Sequence, residues 1–352
     1  MMLRLDVLPA CHGDSLVVTY GSERSPHRIL IDGGPANSYD TGLGPFLAAL
    51  PSKQRTFALM IVSHVDTDHI DGAICALNDT SLGLRFKDIW FNRWAELSSG
   101  LDDRGALQGE YFTELLTKYR VNSAFGGHAV RRDLDRYIAL PGGARLIVVS
   151  PSTEDLRVLR REWAVTCRAA GFEPGASAAI AARLDTRASY HQVALDSARD
   201  ASRTPRFGAD TTAANGSSIG IIFEYRGRRL LLSGDAHADT LTESFRELNR
   251  RWGTRRVQLD AFKLAHHGSA ANITADLLDQ LDCREFIIST DGSHFDHPDS
   301  ATVELIGSTS RANPTILFNY ASRAPDARQQ VDWKVQVQVG DDGHLTMEWP
   351  IR

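Results

Sequence analysis

Residues 63–72 read SHVDTDHIDG, with two histidines and three aspartates crowded into ten positions. The stretch directly follows FALMIVS (57–63), an apolar run of the kind a strand buried on both faces carries. It therefore occupies the loop leaving a strand's C-terminal end, where sites in α/β proteins gather. His64 and Asp66 are two apart, which in extended chain puts both on one side. Asp68 and His69 are adjacent and can turn toward a second point. Three carboxylates this close repel one another unless positive charge lies among them, and one or two divalent cations would remove that repulsion. The competing reading is a solvated turn whose Asp and His side chains cap the following helix.

Two further clusters bear on that choice. Asp235 sits in LLLSGDAH (230–237), and His266 and His267 sit in FKLAHHGS (262–269), each just past an apolar strand-like run. Alone, Asp235 is an ordinary turn residue and the histidine pair an ordinary helix cap. Three strand-end His/Asp clusters in one chain are much harder to explain that way.

The rest of the chain frames a sizeable α/β protein. At 352 residues and 42% hydrophobic composition it can bury one large core or two ordinary ones. A net charge of −5 excludes a globally basic nucleic-acid binder, though not a local basic patch. Cys11, Cys75, Cys167 and Cys283 are scattered with no CxxC pair, which fits reduced thiols and a cytoplasmic setting. MMLRLDVLPACHGD lacks the apolar core of a signal peptide, and no stretch approaches the ~20 apolar residues of a membrane span.

Strand-like runs open the chain at 3–8, 15–20, 27–32 and 57–63 and recur at 145–150, 218–225, 228–233, 260–265, 285–289 and 315–319. Gly227 in EYRGRRL predicts a hairpin turn. Ser152 followed by Asp155 predicts a helix N-cap, with Leu156, Leu159 and Trp163 on one face and Gly171 at the end. Two strand-rich halves with helices between them predict a layered α/β architecture. Residues of about 92–212 are less orderly and are read as a helical and loop insertion in a single domain spanning 1–352, with 176–214 a short helix plus loop.

The order of motifs resembles the metallo-β-lactamase-fold hydrolases. Their signature HxHxDH stands here as His64-Val65-Asp66-Thr67-Asp68-His69, the bridging Asp of a GD context as Asp235, and the late histidine as HHGS (266–269). HGDS (12–15), LIDGG (30–34) and FDHPD (295–299) look like the ComEC-like, competence-type branch, in a stand-alone form. The resemblance spans about residues 1–300. It implies a four-layer αββα sandwich with a binuclear site at one sheet edge. His64 and Asp66 would hold one metal; Asp68, His69 and His266 would hold the other, with His267 as the alternative to His266; Asp235 would bridge them. The resemblance also places His297 beside the metals, and the reading assigns catalytic roles to Asp68 and His297.

The chain departs from that pattern at its first half-site. Asp66 replaces the second histidine, and no third histidine is apparent: His128 and His191 read as surface residues. The positional match is AANGSS (213–218), where Asn215 or Ser217 is either a neutral ligand or phosphate contact, or part of a plain loop turn. The half-site is thus more oxygen-rich, which predicts weaker binding there and a metal pair of zinc or manganese. His12 and His294 read as loop histidines. Ser269 and the backbone amides of HHGS could contact phosphate.

Metal-activated water supplies a nucleophile without serine or cysteine, and two metals suit a phosphodiester. The leading expectation is a metal-dependent phosphodiesterase, most simply a nuclease acting on DNA or RNA, with partners in a defence or DNA-processing system. The arginine pairs 131–132, 160–161, 250–251 and 255–256 are candidates for a backbone-binding rim. The alternatives are hydrolysis of a lactone, ester or cyclic nucleotide on the same fold, and a non-catalytic regulatory partner.

Overall fold

The computed structural model describes residues 1–97, 106–184, 209–309 and 313–351. Two sheets face each other. The first has six strands: β1 (Met2–Val7), β2 (Leu16–Ser22), β3 (Ser25–Ile31), β4 (Leu59–Ile61) and β5 (Ile89–Trp90), closed on the β1 side by a strand from the far end of the chain. The second has eight strands in spatial order reverse to the sequence: β6 (Asp133–Ala139), β7 (Arg145–Ser150), β8 (Gly220–Tyr225), β9 (Arg228–Leu232), β10 (Val257–Lys263), β11 (Leu281–Ile288), β12 (Thr315–Phe318) and β13 (Gln336–Val339). The closing strand of the first sheet is β14 (Leu345–Pro350), antiparallel to β1.

Three apolar cores define the layers. Between the sheets, alternate residues interdigitate: Leu3, Leu5, Ile29 and Ile61 from one, Leu146, Phe223, Leu232 and Ile287 from the other. The opposite faces of the same strands pack on helices. Leu30, Met60 and Val62 meet Ile70 and Ile74 of α1 (Thr67–Asn78), Phe112 of α2 (Ala106–Leu115), Trp163 of α3 (Thr153–Ala169) and Ile180 of α4 (Ser177–Leu184). Ile222, Leu231 and Phe262 meet Leu241 and Phe245 of α5 (Ala238–Trp252) and Ile306 of α6 (Ser300–Thr309). The result is a four-layer αββα sandwich, the arrangement that the motif resemblance implies. The alternation that makes it possible is the strand's own period of two, with both faces apolar because both are covered.

Local expectations hold at the turn and the cap. Arg226 (φ 46°) and Gly227 (φ 79°) form the two-residue β8–β9 turn, the left-handed pair that matches strand twist. The Ser152 hydroxyl accepts from the Asp155 amide while the Asp155 carboxylate accepts from the Ser152 amide, a reciprocal capping box. The span 92–212 is less of an insertion than its sequence predicts. Its β6 and β7 are members of the second sheet, and α2, α3 and α4 form part of the first sheet's helical cover. DLDRYIA (133–139) escapes sequence detection because charges interrupt its alternation. Helix Ser177–Leu184 is the short helix expected in 176–214; residues 185–208, His191 among them, lie outside the described residues. Among the described residues no helix is long and apolar enough to cross a membrane.

The C-terminal ends of β3, β4, β9, β10 and β11 all open at one edge of the sandwich, because β3 and β4 are parallel, as are β9, β10 and β11. The residues that leave those ends are Asp32, His64, Asp235, His266–His267 and Ser289.

Candidate metal centre

The loop 64–69 is held there by backbone contacts that only glycine permits. Asp14 donates its amide to the Asp68 carbonyl at 3.2 Å, Gly33 to the His69 carbonyl at 2.8 Å, and Gly72 to the Gly34 carbonyl at 2.7 Å. A Cβ on Gly13 would stand 1.9 Å from the Asp68 carbonyl oxygen, and one on Gly33 2.0 Å from the Ala73 nitrogen. The glycines of HGDS and LIDGG are thus packing requirements of the loop. Asp66 is the residue before α1, yet its side chain caps none of the helix's amides. The helix-cap reading of the crowded charges therefore fails for Asp66.

Three buried imidazoles are fixed through one nitrogen and left open at the other. His69 Nδ1 donates to Asp32 Oδ2 at 2.9 Å, and His267 Nδ1 donates to the Ser289 carbonyl at 2.8 Å. His64 Nδ1 lies 2.9 Å from Ser63 Oγ and 3.2 Å from Ser218 Oγ. Ser63 directs its own hydroxyl hydrogen to Asp32 at 2.7 Å, so its oxygen accepts from His64. Every Nε2 of the three is buried with no hydrogen-bond partner, as is Asp235 Oδ1. Native interiors seldom leave such groups unsatisfied, and buried, unpartnered imidazole nitrogens beside carboxylates are donors that suit a cation.

Their mutual distances agree. His69 Nε2 is 3.4 Å from Asp235 Oδ2 and 3.7 Å from Asp68 Oδ2. His267 Nε2 is 3.4 Å from Asp68 Oδ2 and 3.7 Å from Asp235 Oδ2. Two sets, His64–His69–Asp235 and Asp68–His69–His267, each keep their donor atoms within 4.8 Å of one another. Asp66 stands at the margin, 3.6 Å from His64 Nε2 with its side chain 35% exposed.

The carboxylates and imidazoles of the site shift one another's protonation. Burial would raise the carboxyls of Asp68 and Asp235, but the imidazoles around them, His69 foremost, hold both below the ordinary range. Burial would lower His69 and His267, but Asp235 and its fellow carboxylates outweigh it, lifting His69 well above the ordinary value and His267 to about 9. A divalent cation would neutralise the same carboxylates and leave the imidazoles free of their extra protons. The donor set, three imidazoles with Asp68 and Asp235 and with Asp66 at its margin, fits a divalent cation in chemistry, and the imidazoles and Asp235 fit it in their unpartnered atoms too.

The structure revises the part given to the HHGS histidines. His267, 1% exposed, joins Asp68 and His69. His266 does not: its Nδ1 faces Asp210 Oδ2 at 3.3 Å and Asn272 Oδ1 at 3.1 Å, and its Nε2 is 3.9 Å from Asp235 Oδ2. Both residues adopt left-handed backbone, φ 48° and 54°, so the chain twists between them and swings the second ring inward. Being first after the strand does not put His266 deepest.

Other candidates fall around this core. Asn215 is bonded to Asp210 at 2.7 Å and lies 3.3 Å from His266 Nδ1, so it buttresses that pair rather than facing the open imidazoles. The Ser217 hydroxyl donates to the Ala214 carbonyl at 2.6 Å and is locally engaged; its neighbour Ser218 is the one that reaches His64. Ser269 accepts from the Ala271 amide within its own turn. His297 is largely buried, its ring 5.2 Å from that of His266, with Nδ1 unpartnered. Burial together with His266 and His267 lowers its proton affinity to about 3. His12 and His294 stack at 5.1 Å, and His128 is exposed.

Sequence reasoning gave no role to Asp14, Asp32, Lys263, Asp210 and Asn272. Asp14 and Lys263 form an ion pair with both side chains buried, beside His267 Nδ1 at 3.5 Å from Asp14 Oδ1. Asp14, Asp32 and Lys263 lie within quoted motifs, where a buried charge next to candidate ligands was the available signal. Asp210 precedes no strand and carried none.

No protein-family model matches the chain, and no curated protein sequence matches it significantly. Among solved structures it is similar to the metallo-β-lactamase fold protein YhfI of Bacillus subtilis, at 10% identity and a TM-score of 0.45, covering 99% of this chain and 100% of that one. It is also similar to a flavo di-iron protein mutant of Thermotoga maritima, at 11% identity and a TM-score of 0.24, covering 93% of this chain and 84% of that one.

Proposed function

We propose that the chain is a metal-dependent phosphodiesterase that cleaves DNA or RNA at a two-metal centre. The observation that carries the metal part is the set of three locked, buried imidazoles whose Nε2 atoms have no partner. His64 and Asp66 would hold one zinc or manganese ion, Asp68, His69 and His267 the other, with Asp235 between them. Bound divalent cations supply an activated water and stabilise charge on phosphodiester oxygens.

The chain's own groups do the rest. Asp32, Ser63 and the Ser289 carbonyl fix each imidazole's tautomer through Nδ1, as partners behind metal ligands do. Lys263 offsets the charge of Asp14 beneath His267. His266, anchored by Asp210 and bordering Asp235 with His297 packed on its ring, would contact a substrate oxygen.

The expected arginine rim is mostly committed elsewhere. Arg250 and Arg251 pair with Glu247, Arg256 with Asp279, and Arg160 lies over the Trp94 ring. Arg131 and Arg132 share a surface cleft with Arg136 and His128, leading from the β6 start, where the Arg132 amide donates to the Pro151 carbonyl at 2.7 Å. Arg132 is itself paired with Glu243 and Arg131 bonded to Thr153, so this cleft would offer a phosphate backbone only part of the cationic rim expected.

The test is a substrate panel on metal-stripped protein restored with zinc or manganese. Cleavage of single-stranded DNA or RNA that returns with metal supports the proposal. Opening of a lactone or a cyclic nucleotide, with nucleic acids untouched, would replace it by the small-molecule reading.

A further inference from the structure

We infer that Phe295 is a stacking platform for a nucleobase of the substrate, placed beside the hydrolytic centre; this rests on the phosphodiesterase reading above. Among the described residues, the exposed large apolar side chains include two aromatics, Tyr137 and Phe295. Tyr137, 43% exposed, carries the Arg145 guanidinium over its ring at 4.5 Å from the centroid and is paired with no candidate ligand among the described residues. Phe295 remains 45% exposed, although its ring centroid is 5.9 Å from that of His266, 5.8 Å from His297 and 4.1 Å from His294. His266 in turn borders Asp235, so the ring stands one side chain away from the open imidazoles.

Looseness does not explain the exposure. The loop carrying Phe295 is tied at both ends: the Asp291 amide donates to the Cys11 carbonyl at 2.8 Å, and the Asp299 amide to the Gly268 carbonyl at 3.2 Å. The Asp299 carboxylate accepts from the Ala270 amide at 2.7 Å, and Arg323 donates to the His297 carbonyl at 2.8 Å and pairs with the Asp296 carboxylate. A phenyl ring held at a polar rim by so many bonds presents an apolar, π-faced surface at constant hydrophobic cost. The ligand chemistry that uses such a face is a flat aromatic ring. A base joined through its sugar to a phosphate could lie on Phe295 while the phosphate lies toward His266 and the imidazoles behind it. Stacking of this kind tolerates any base, and it would favour nucleotide substrates over phosphodiesters lacking a base.

An aliphatic acyl chain would also cover a phenyl ring, and an abasic strand that is bound as well as the normal one would count against the nucleobase. Metal-restored wild type, Phe295→Leu and Phe295→Trp are assayed on single-stranded oligonucleotides bearing either normal bases or one abasic residue moved stepwise along the strand. The wild type should show a KM raised roughly tenfold when the abasic residue occupies one particular position. Phe295→Trp should keep that ratio and Phe295→Leu should bring it toward one. The extra tryptophan emission of Phe295→Trp should be quenched by the normal strand and not by the strand abasic at that position. A Phe295→Leu protein that keeps the wild-type ratio, or a wild type indifferent to the abasic residue while still cleaving, overturns the stacking role and leaves the phosphodiesterase reading standing. A wild type that cleaves neither strand overturns both.

Discussion

The Nε2 atom of His267 lies 3.4 Å from Oδ2 of Asp68, and no hydrogen bond occupies it. The neighbouring His266 is tied to Asp210 and Asn272 instead. Two adjacent histidines therefore make unequal demands on a metal. His267→Ala should remove most of the metal from the half-site shared with Asp68 and His69. His266→Gln should retain metal near the wild-type level while turnover falls. Metal content of the two purified variants, measured by mass spectrometry, checks this; equal metal loss in both would return His266 to the ligand set.

How much of this was legible in the sequence depends on where each signal resides. His64, Asp66, Asp68, His69 and Asp235 cluster because strand ends carry them, and a strand end is visible as an apolar run meeting charge. The choice between His266 and His267 was not legible, since it turns on a left-handed backbone twist at two non-glycine residues that no local pattern announces. Strand β14 was missed although LTMEWP alternates buried and exposed along its whole length, because its partner β1 lies more than three hundred residues away, at Leu3↔Trp349. Asp210 was missed because its role exists only once the loop meets His266. Local chemistry was readable; long-range partnership was not.

Asp235→Asn tests the bridging role. The substitution keeps the side chain's shape and removes the charge that His69, His266 and His267 all face. Phosphodiester turnover should fall by about 10²-fold or more, with thermal unfolding little changed. Near-normal turnover by a folded variant would sink the assignment.

Asp66 should tune metal preference. Its partly exposed position and its approach to His64 give that half-site a carboxylate where an imidazole would favour zinc. Manganese should activate stripped protein at least as well as zinc, one ion binding more weakly than the other. Asp66→His should shift the preference toward zinc. Two equally tight zinc ions in wild type, with no response to manganese, would contradict this.

Metal binding should release protons. His267 is lifted to about 9, where burial alone would have lowered it, because Asp235 and Asp14 outweigh burial. A raised value means the proton is held in the metal-free folded protein near neutral pH, and its stabilisation is lost as pH rises through about 9. Zinc must displace that proton, so affinity should climb with pH up to that value and then level off. Calorimetric titration at about pH 7 and about pH 9.5, in buffers of different ionisation enthalpy, reads the release directly; identical heats across buffers at the lower pH would refute it.

Lys263 and Asp14 form a fully buried pair, so removing one partner strands the other. Lys263→Met should cost about 3–5 kcal/mol in denaturant unfolding, and adding Asp14→Asn should restore part of it. An additive double variant would show that the two charges are not coupled.

The most direct measurement is metal stoichiometry on reconstituted wild type and Asp235→Asn, after removal of free metal. The wild type should hold close to two divalent ions per chain, one released more readily than the other, and Asp235→Asn should show a clear loss. A folded wild type that retains no divalent metal at micromolar concentrations would contradict this, because the unpartnered Nε2 atoms of His64, His69 and His267 would then have no cation to bind.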